Sequence, residues 1–123
     1  MKVAIAGGPR TGKTTFALET FGASLVRHTD DLIGSHDWSE ASLAASQWFN
    51  EPGVWCIEGV AVPRALRKWL AANPGKPCDR VYWLTKAHTP LSTGQAAMAK
   101  GCVRVWLEVL PQLRLRGVEV IDV

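Results

Sequence analysis

The sequence predicts an α/β domain built on a parallel sheet, and three observations predict it. Apolar runs of strand length alternate with segments of helical period from one end of the chain to the other, the pattern of successive β–α units. No internal repeat, low-complexity tract or linker interrupts that alternation. The apolar run 2–6, KVAIA, ends at a glycine pair, as a buried parallel strand does where it feeds a tight loop.

Each element follows in order. A helix is expected from about Lys13 to Phe21, with Gly22 as its stop in the position that favours a left-handed backbone. Ser24–Thr29, SLVRHT, reads as a second strand that delivers Asp30 and Asp31 at its carboxyl end. Asp37 with Glu40 three residues later forms a capping-box pattern, and Trp38, Ala41, Ala45, Trp48 and Phe49 recur at helical spacing. That helix is expected to end near Asn50, before Pro52 and Gly53. Val54–Glu58, VWCIE, is a third buried strand. Pro63 suits the first residue of a helix whose Leu66, Trp69 and Leu70 face inward, and Asn73, Pro74 and Gly75 terminate it. Arg80–Leu84, RVYWL, is a fourth strand, followed by a polar stretch from Thr85 to about Gly94 that reads as a loop or lid. A helical segment or pair then carries Met98, Val103, Leu107, Leu110 and Leu113 inward, with Pro111 expected to kink or restart it. Gly117 ends it, and Val118–Val123, VEVIDV, is a fifth strand.

A chain of 123 residues fits a single domain over 1–123. With 47% apolar and 20% charged residues and six Trp, it can bury a core and falls outside disordered compositions. The net charge of +3 suits an anionic ligand without requiring nucleic acid. No run of about 18 apolar residues occurs, and the opening MKVAIAGGPR lacks a signal-peptide pattern, so a soluble, cytoplasmic protein without membrane contact is expected. Cys56, Cys78 and Cys102 are odd in number and widely spaced, which fits reduced thiols, with Cys56 in the core. Four of the tryptophans, Trp48, Trp69, Trp83 and Trp106, sit where the period predicts core. Trp38, beside the acid pair, is a candidate for stacking on a base.

The chemistry concentrates in Gly7, Gly8, Pro9, Arg10, Thr11, Gly12, Lys13 and Thr14, a full match to G-x-x-x-x-G-K-[ST] placed after a strand and before a helix. Glycines permit backbone angles that side chains forbid, so successive N–H groups can turn inward around a polyphosphate while the helix adds its positive end. Lys13 then reaches the β and γ phosphates, the Thr14 hydroxyl is placed to ligate Mg²⁺, and Thr15 continues the ATP-binding segment. Arg10 is either a further phosphate contact or a solvated residue. Glu58 ends the third strand as a candidate for the Mg²⁺ side of the site, the alternative being a charge that marks where the core stops. Asp30 and Asp31 belong to the same carboxyl-end layer, where open parallel sheets bind ligands, and either can accept a proton from an attacking hydroxyl or cap the turn. Lys86, His88, Gln95, Lys100 and Arg104, in or near the segment after the fourth strand, are candidates for neutralising a moving phosphoryl group or for a solvated basic face. His28 and His36 lack metal-ligand spacing and are read as non-ligands.

The segments GGPRTGKTT, HTDDLIG and VWCIEGV resemble the phosphate loop, the acid pair after the second strand and the end of the third strand in the P-loop kinases of nucleosides, nucleotides, shikimate and polynucleotides. The resemblance implies a three-layer P-loop NTPase fold, with a five-stranded parallel sheet in order 2-3-1-4-5 and helices on both faces. It implies ATP and Mg²⁺ as cofactors, and an acid after the second strand that binds or deprotonates the acceptor, with Asp31 the first choice and Asp30 the second. The arginine-rich lid of such kinases is poorly matched, because 85–101 contains no arginine; Arg104 is the candidate substitute. Small Trp-rich P-loop kinases of bacteriophages are similar too, including those that phosphorylate 5-hydroxymethyluracil in DNA. The expected function is thus phosphoryl transfer from ATP to a hydroxyl or phosphate on a nucleoside, nucleotide or DNA. The alternative is a P-loop ATPase acting as a motor, a switch or a binding module. A motor needs subunit contacts and a sensor element, for which so short a chain has no arginine-finger segment.

Overall fold

The computed structural model describes Met1–Val123. Its elements are β1 (Lys2–Gly7), α1 (Lys13–Phe21), β2 (Val26–His28), α2 (Asp30–Ile33), α3 (Trp38–Trp48), β3 (Trp55–Glu58), α4 (Val62–Ala72), β4 (Arg80–Leu84), α5 (Thr93–Leu115) and β5 (Glu119–Asp122). The five strands form one sheet in order β2-β3-β1-β4-β5, and every neighbouring pair runs parallel. Parallel neighbours require crossovers, and the helices between the strands supply them.

β1 lies at the centre of the sheet and is apolar on both sides, since side chains alternate along a strand. Val3 and Ile5 pack with Ala17, Phe16 and Phe21 of α1 on one face. Ala4 and Ala6 face the larger core, built from α3, α4 and α5 with Leu66, Trp69, Trp106, Val109 and Leu113. Helices thus cover both faces. Trp83 of β4 and Trp106 of α5 stack in parallel, with centroids 4.7 Å apart and planes 2° apart. No helix is long and apolar enough to cross a membrane.

Local signals explain the ends. Asp37 caps α3 by accepting from the Glu40 N–H at 2.8 Å, while the Glu40 carboxylate accepts from the Asp37 N–H. Ser92 and Gln95 form the same reciprocal box at the start of α5. Arg116 donates to the carbonyls of Leu70, Asn73 and Gly75, satisfying the C-terminal end of α4. All three cysteines are free and buried, and burial pushes the Cys56 and Cys78 thiols up to about 12.

Several sequence expectations are corrected. β2 begins at Val26 rather than Ser24, because residues 23–25 form a turn after Gly22. α5 is one continuous helix through Pro111. Pro111 lacks an N–H for the Leu107 carbonyl, but both residues are exposed, so water can serve that carbonyl. The inward stripe of α5 is Cys102, Val105, Trp106, Val109 and Leu113; Val103 and Leu107 are exposed, and of the expected set only Leu113 is buried. Leu110 is half-buried against the same core, so the error falls on Val103 and Leu107, each one residue, about 100° of helix, away from Cys102 and Trp106. Trp48 is only half-buried, with the Arg27 guanidinium 3.9 Å from its ring centroid. An amphipathic ring can close the core on one side and carry a cation on the other.

Candidate active site

Four segments meet at the carboxyl edge of the sheet. β1 ends in Gly7, the loop 8–12 follows, and α1 begins at Lys13. The loop closes on itself: the Thr11 hydroxyl donates to the Gly8 carbonyl at 2.9 Å, and the Lys13 ammonium donates to the same carbonyl at 2.6 Å. Gly12 has φ 83°, a left-handed backbone that favours glycine, and a Cβ there would lie 3.0 Å from the His88 ring and press on it. Arg10 is the one non-glycine residue with positive φ, at 61°. Its guanidinium donates to Gln95 Oε1 and Thr89 Oγ1, each at 3.2 Å, and its carbonyl accepts from the His88 N–H at 2.8 Å. These bonds pin the segment after β4 onto the glycine loop.

Lys13 is 8% exposed. Burial pulls its ammonium below the ordinary lysine value, and the charges of Glu58, Asp30 and Cys102 offset part of that shift. Glu58, 1% exposed, ends β3 directly beside β1 and β2, where the register pairs it with Ile5 and His28. The Thr14 hydroxyl lies 3.0 and 3.2 Å from the two Glu58 carboxylate oxygens, and His28 Nδ1 lies 3.2 Å from Glu58 Oε1. Gly59 follows with φ 144°, and a Cβ there would come within 1.8 Å of Thr29 Oγ1 and 3.5 Å of Asp30 Oδ1. The absence of a side chain at Gly59 lets β2 and α2 close onto β3. Thr29 is fully buried there and its hydroxyl oxygen has no hydrogen-bond partner.

Two cavities flank the loop. One, of about 490 Å³, is lined by Pro9, Arg10, Gly12, Lys13, Thr14, Thr15, Asp30, Ile33, Gly34, Val60, Gln95 and Met98. The other, of about 470 Å³, is lined by Thr11, Gly12, Thr15, Phe16, Glu19, Leu84, Lys86, His88 and Val123. Thr15 and Gly12 border both. The sequence candidates therefore divide. Lys13, Thr14, Asp30, Arg10 and Gln95 share the first cavity with Glu58 hydrogen-bonded behind it, whereas Lys86 belongs to the second. Asp31, Lys100 and Arg104 are exposed and line neither. α2 begins at Asp30, so the first carboxylate lands at the sheet edge and the next is carried about 100° around the helix.

Sequence reasoning missed His28 and Thr29. His28 reaches Glu58 only through the parallel register of β2 and β3, and no spacing rule within one segment reveals a partner 30 residues away. The donor set can be weighed chemically. One hydroxyl and one carboxylate held together are hard oxygen donors, and Mg²⁺ characteristically takes one or two protein ligands and completes its shell with water and phosphate oxygens. No group of three or more His, Cys, Asp and Glu side chains gathers as a metal site, so the chain offers no all-protein cage. Neither a protein-family model nor a curated protein matches the chain.

Proposed function

We propose that this chain is an ATP- and Mg²⁺-dependent P-loop kinase that transfers the γ-phosphoryl group to a hydroxyl or phosphate on a nucleoside, nucleotide or nucleic acid. The observation that carries the reading is the meeting of Thr14 and Glu58 at 3.0 Å beside buried Lys13, with Asp30 lining the same cavity. Residues for phosphate, cation and acceptor thus converge from the ends of β1, β2 and β3.

The roles follow from position. Backbone N–H groups of the loop and the start of α1 receive the phosphates, and Lys13 neutralises the charge that grows on the transferred group. Thr14 and Glu58 are the residues that would hold Mg²⁺, which would supply positive charge to a bound polyphosphate. Asp30, rather than Asp31, is the side chain placed to accept the acceptor proton, because it borders the phosphate cavity. Arg10 and Gln95 stand at the cavity rim, where a guanidinium can shield the phosphoryl group during transfer. The cavity beside Phe16 and His88 is the place for the nucleoside of ATP, since it shares Gly12 and Thr15 with the phosphate side. Catalysis is then positioning and charge neutralisation rather than covalent chemistry.

The test is labelled ATP offered with a panel of nucleosides, nucleotides and hydroxyl-bearing DNA, alongside Lys13→Ala. A phosphorylated acceptor lost in Lys13→Ala supports the kinase. Slow ATP hydrolysis with no phosphorylated acceptor anywhere in the panel supports a P-loop ATPase or switch instead.

A further inference from the structure

A third, shallow groove of about 240 Å³ lies outside the two cavities and is bordered by Trp38, Ser39, Ser42, Arg64, Arg67 and Lys68. Three of its six residues are cations and none is acidic. The only ion pair made by those cations is Arg67 with Glu108, at the groove's outer side on α5. Lys68 is held by the Ser39 carbonyl and hydroxyl at 2.8 and 3.1 Å, both neutral partners. Arg64 makes no salt bridge, and its guanidinium sits 5.3 Å from the Trp38 ring centroid. Trp38 itself remains 36% exposed. An exposed indole backed by a guanidinium, with further cations in a row, has the composition of a platform on which a base stacks while the phosphates on either side are neutralised.

The groove shares no lining residue with the phosphate cavity, but its residues lie close to that cavity's along the chain. Trp38 follows Ile33 and Gly34 by one short turn, and Arg64, in the first turn of α4, lies four residues after Val60. The tip of Arg64 approaches Gly101 on α5, where a Cβ would lie 3.2 Å away, one helical turn from Met98 of the cavity. The groove and the cavity are thus neighbours, close enough for one extended ligand to span.

We propose that this groove binds a single-stranded nucleic acid, with a base on Trp38 and backbone phosphates on Arg64, Arg67 and Lys68, so that the oligonucleotide leads toward Asp30. The proposal rests on the kinase reading for its purpose and names the acceptor as a polynucleotide. A lone nucleoside has no need of the groove, whereas a polynucleotide is long enough to engage both. Lys68 is within the field of the Asp37 carboxylate but forms no close ion pair with it, and Arg64 forms none at all, so neither cation has to break an ion pair to meet a polyanion.

The test is binding of a fluorescein-labelled oligothymidylate, about twelve nucleotides long, to the full chain without ATP or Mg²⁺. Three phosphate contacts give a single-stranded salt slope of about −2, so affinity is expected to fall about twentyfold between roughly 50 and 200 mM salt. Trp38→Ala is expected to weaken binding about tenfold through lost stacking, with the salt slope unchanged. Arg64→Gln and Lys68→Gln are each expected to lower the slope by about 0.7; circular dichroism reports whether each variant is folded, and any one folded variant suffices. No binding, equal binding by the folded variants, or equal competition by poly-glutamate overturns the proposal. Transfer to free nucleosides is assayed separately. If it proceeds while the oligonucleotide is ignored, the groove is wrong and the kinase stands; if the oligonucleotide binds but nothing is phosphorylated, the kinase reading is what failed.

Discussion

Gly59→Ala tests how the site is assembled, and its cost can be worked from the backbone. The residue has φ 144°, in a region nearly closed to side chains, and a Cβ would meet Thr29 Oγ1 at 1.8 Å and Thr29 Cβ at 3.0 Å. The backbone strain is about 1–3 kcal/mol. Because Thr29 is fully buried, its side chain cannot swing into solvent, so the contact adds an overpacking cost of about 1–3 kcal/mol. The sum, about 2–6 kcal/mol, is a large share of the stability of an ordinary domain, about 5–15 kcal/mol. At about 4 °C per kcal/mol for a chain of this size, the melting midpoint is expected to fall by roughly 8–24 °C. The assay is urea and thermal unfolding followed by tryptophan fluorescence, with Thr29→Ala as the second arm of a double-mutant cycle. Thr29→Ala removes an oxygen that has no partner together with one buried methyl group, so alone it is expected to cost no more than about 1 kcal/mol. In the Gly59→Ala background it relieves the 1.8 Å contact and is expected to restore about 1–3 kcal/mol. A single Gly59→Ala within about 0.5 kcal/mol of the parent refutes the reasoning, as does a double variant no more stable than the single one.

Three further outcomes follow from particular side chains. Leu113→Ala, at a fully buried position, is expected to cost about 2–5 kcal/mol in urea unfolding, while Leu107→Ala, at a position 62% exposed, stays within about 0.5 kcal/mol; equal effects would contradict the inward stripe of α5. Glu58→Gln and Thr14→Ala are each expected to raise the Mg²⁺ concentration needed for half-maximal phosphotransfer about tenfold or more, read from a magnesium titration at saturating ATP, whereas an unshifted titration removes both from the cation site. Between pH 9.0 and about 12 the folded chain keeps protons on Cys56 and Cys78 that the unfolded chain releases, so their stabilisation is complete below pH 9.0 and drains away above it. Each thiol contributes a fall of about 1.4 kcal/mol per pH unit in that window. Lys13, lowered in the fold, contributes the opposite sign just below its ordinary value of 10.5, because there the unfolded chain binds more protons. Unfolding of the parent, Cys56→Ala and Lys13→Met from pH 8 to 11 separates the terms: the alkaline fall should shrink in the first variant and steepen in the second.

Most of the scaffold was legible because it rests on local signals. The strand that ends in glycines, the Asp37–Glu40 box and the apolar runs at β3 and β4 each declare themselves within a few residues. What escaped depends on phase or on long range. The stripe of α5 turns on one residue of helical rotation, and apolar residues occur on several faces of α5, so periodicity alone did not select Val105 over Val103. The His28–Glu58 contact, the close approach of Thr29 to Gly59 and the bonds from Arg10 to Thr89 and Gln95 exist only once distant segments are in register. Glu58 illustrates the boundary between the two: its place at a strand end was readable, but its burial to 1% and its bond with Thr14 were not.

The parallel Trp83–Trp106 stack has a use apart from packing. Two stacked indoles with centroids 4.7 Å apart and planes 2° from parallel are close enough to couple their transitions, so the pair is a built-in optical gauge of the distance between β4 and α5. That distance matters because β4 leads into Leu84 and the second cavity, while α5 carries Gln95 and Met98 of the first. A ligand that shifts α5 against the sheet registers as a change in the near-ultraviolet circular dichroism of this pair, with no dye or label attached to the chain.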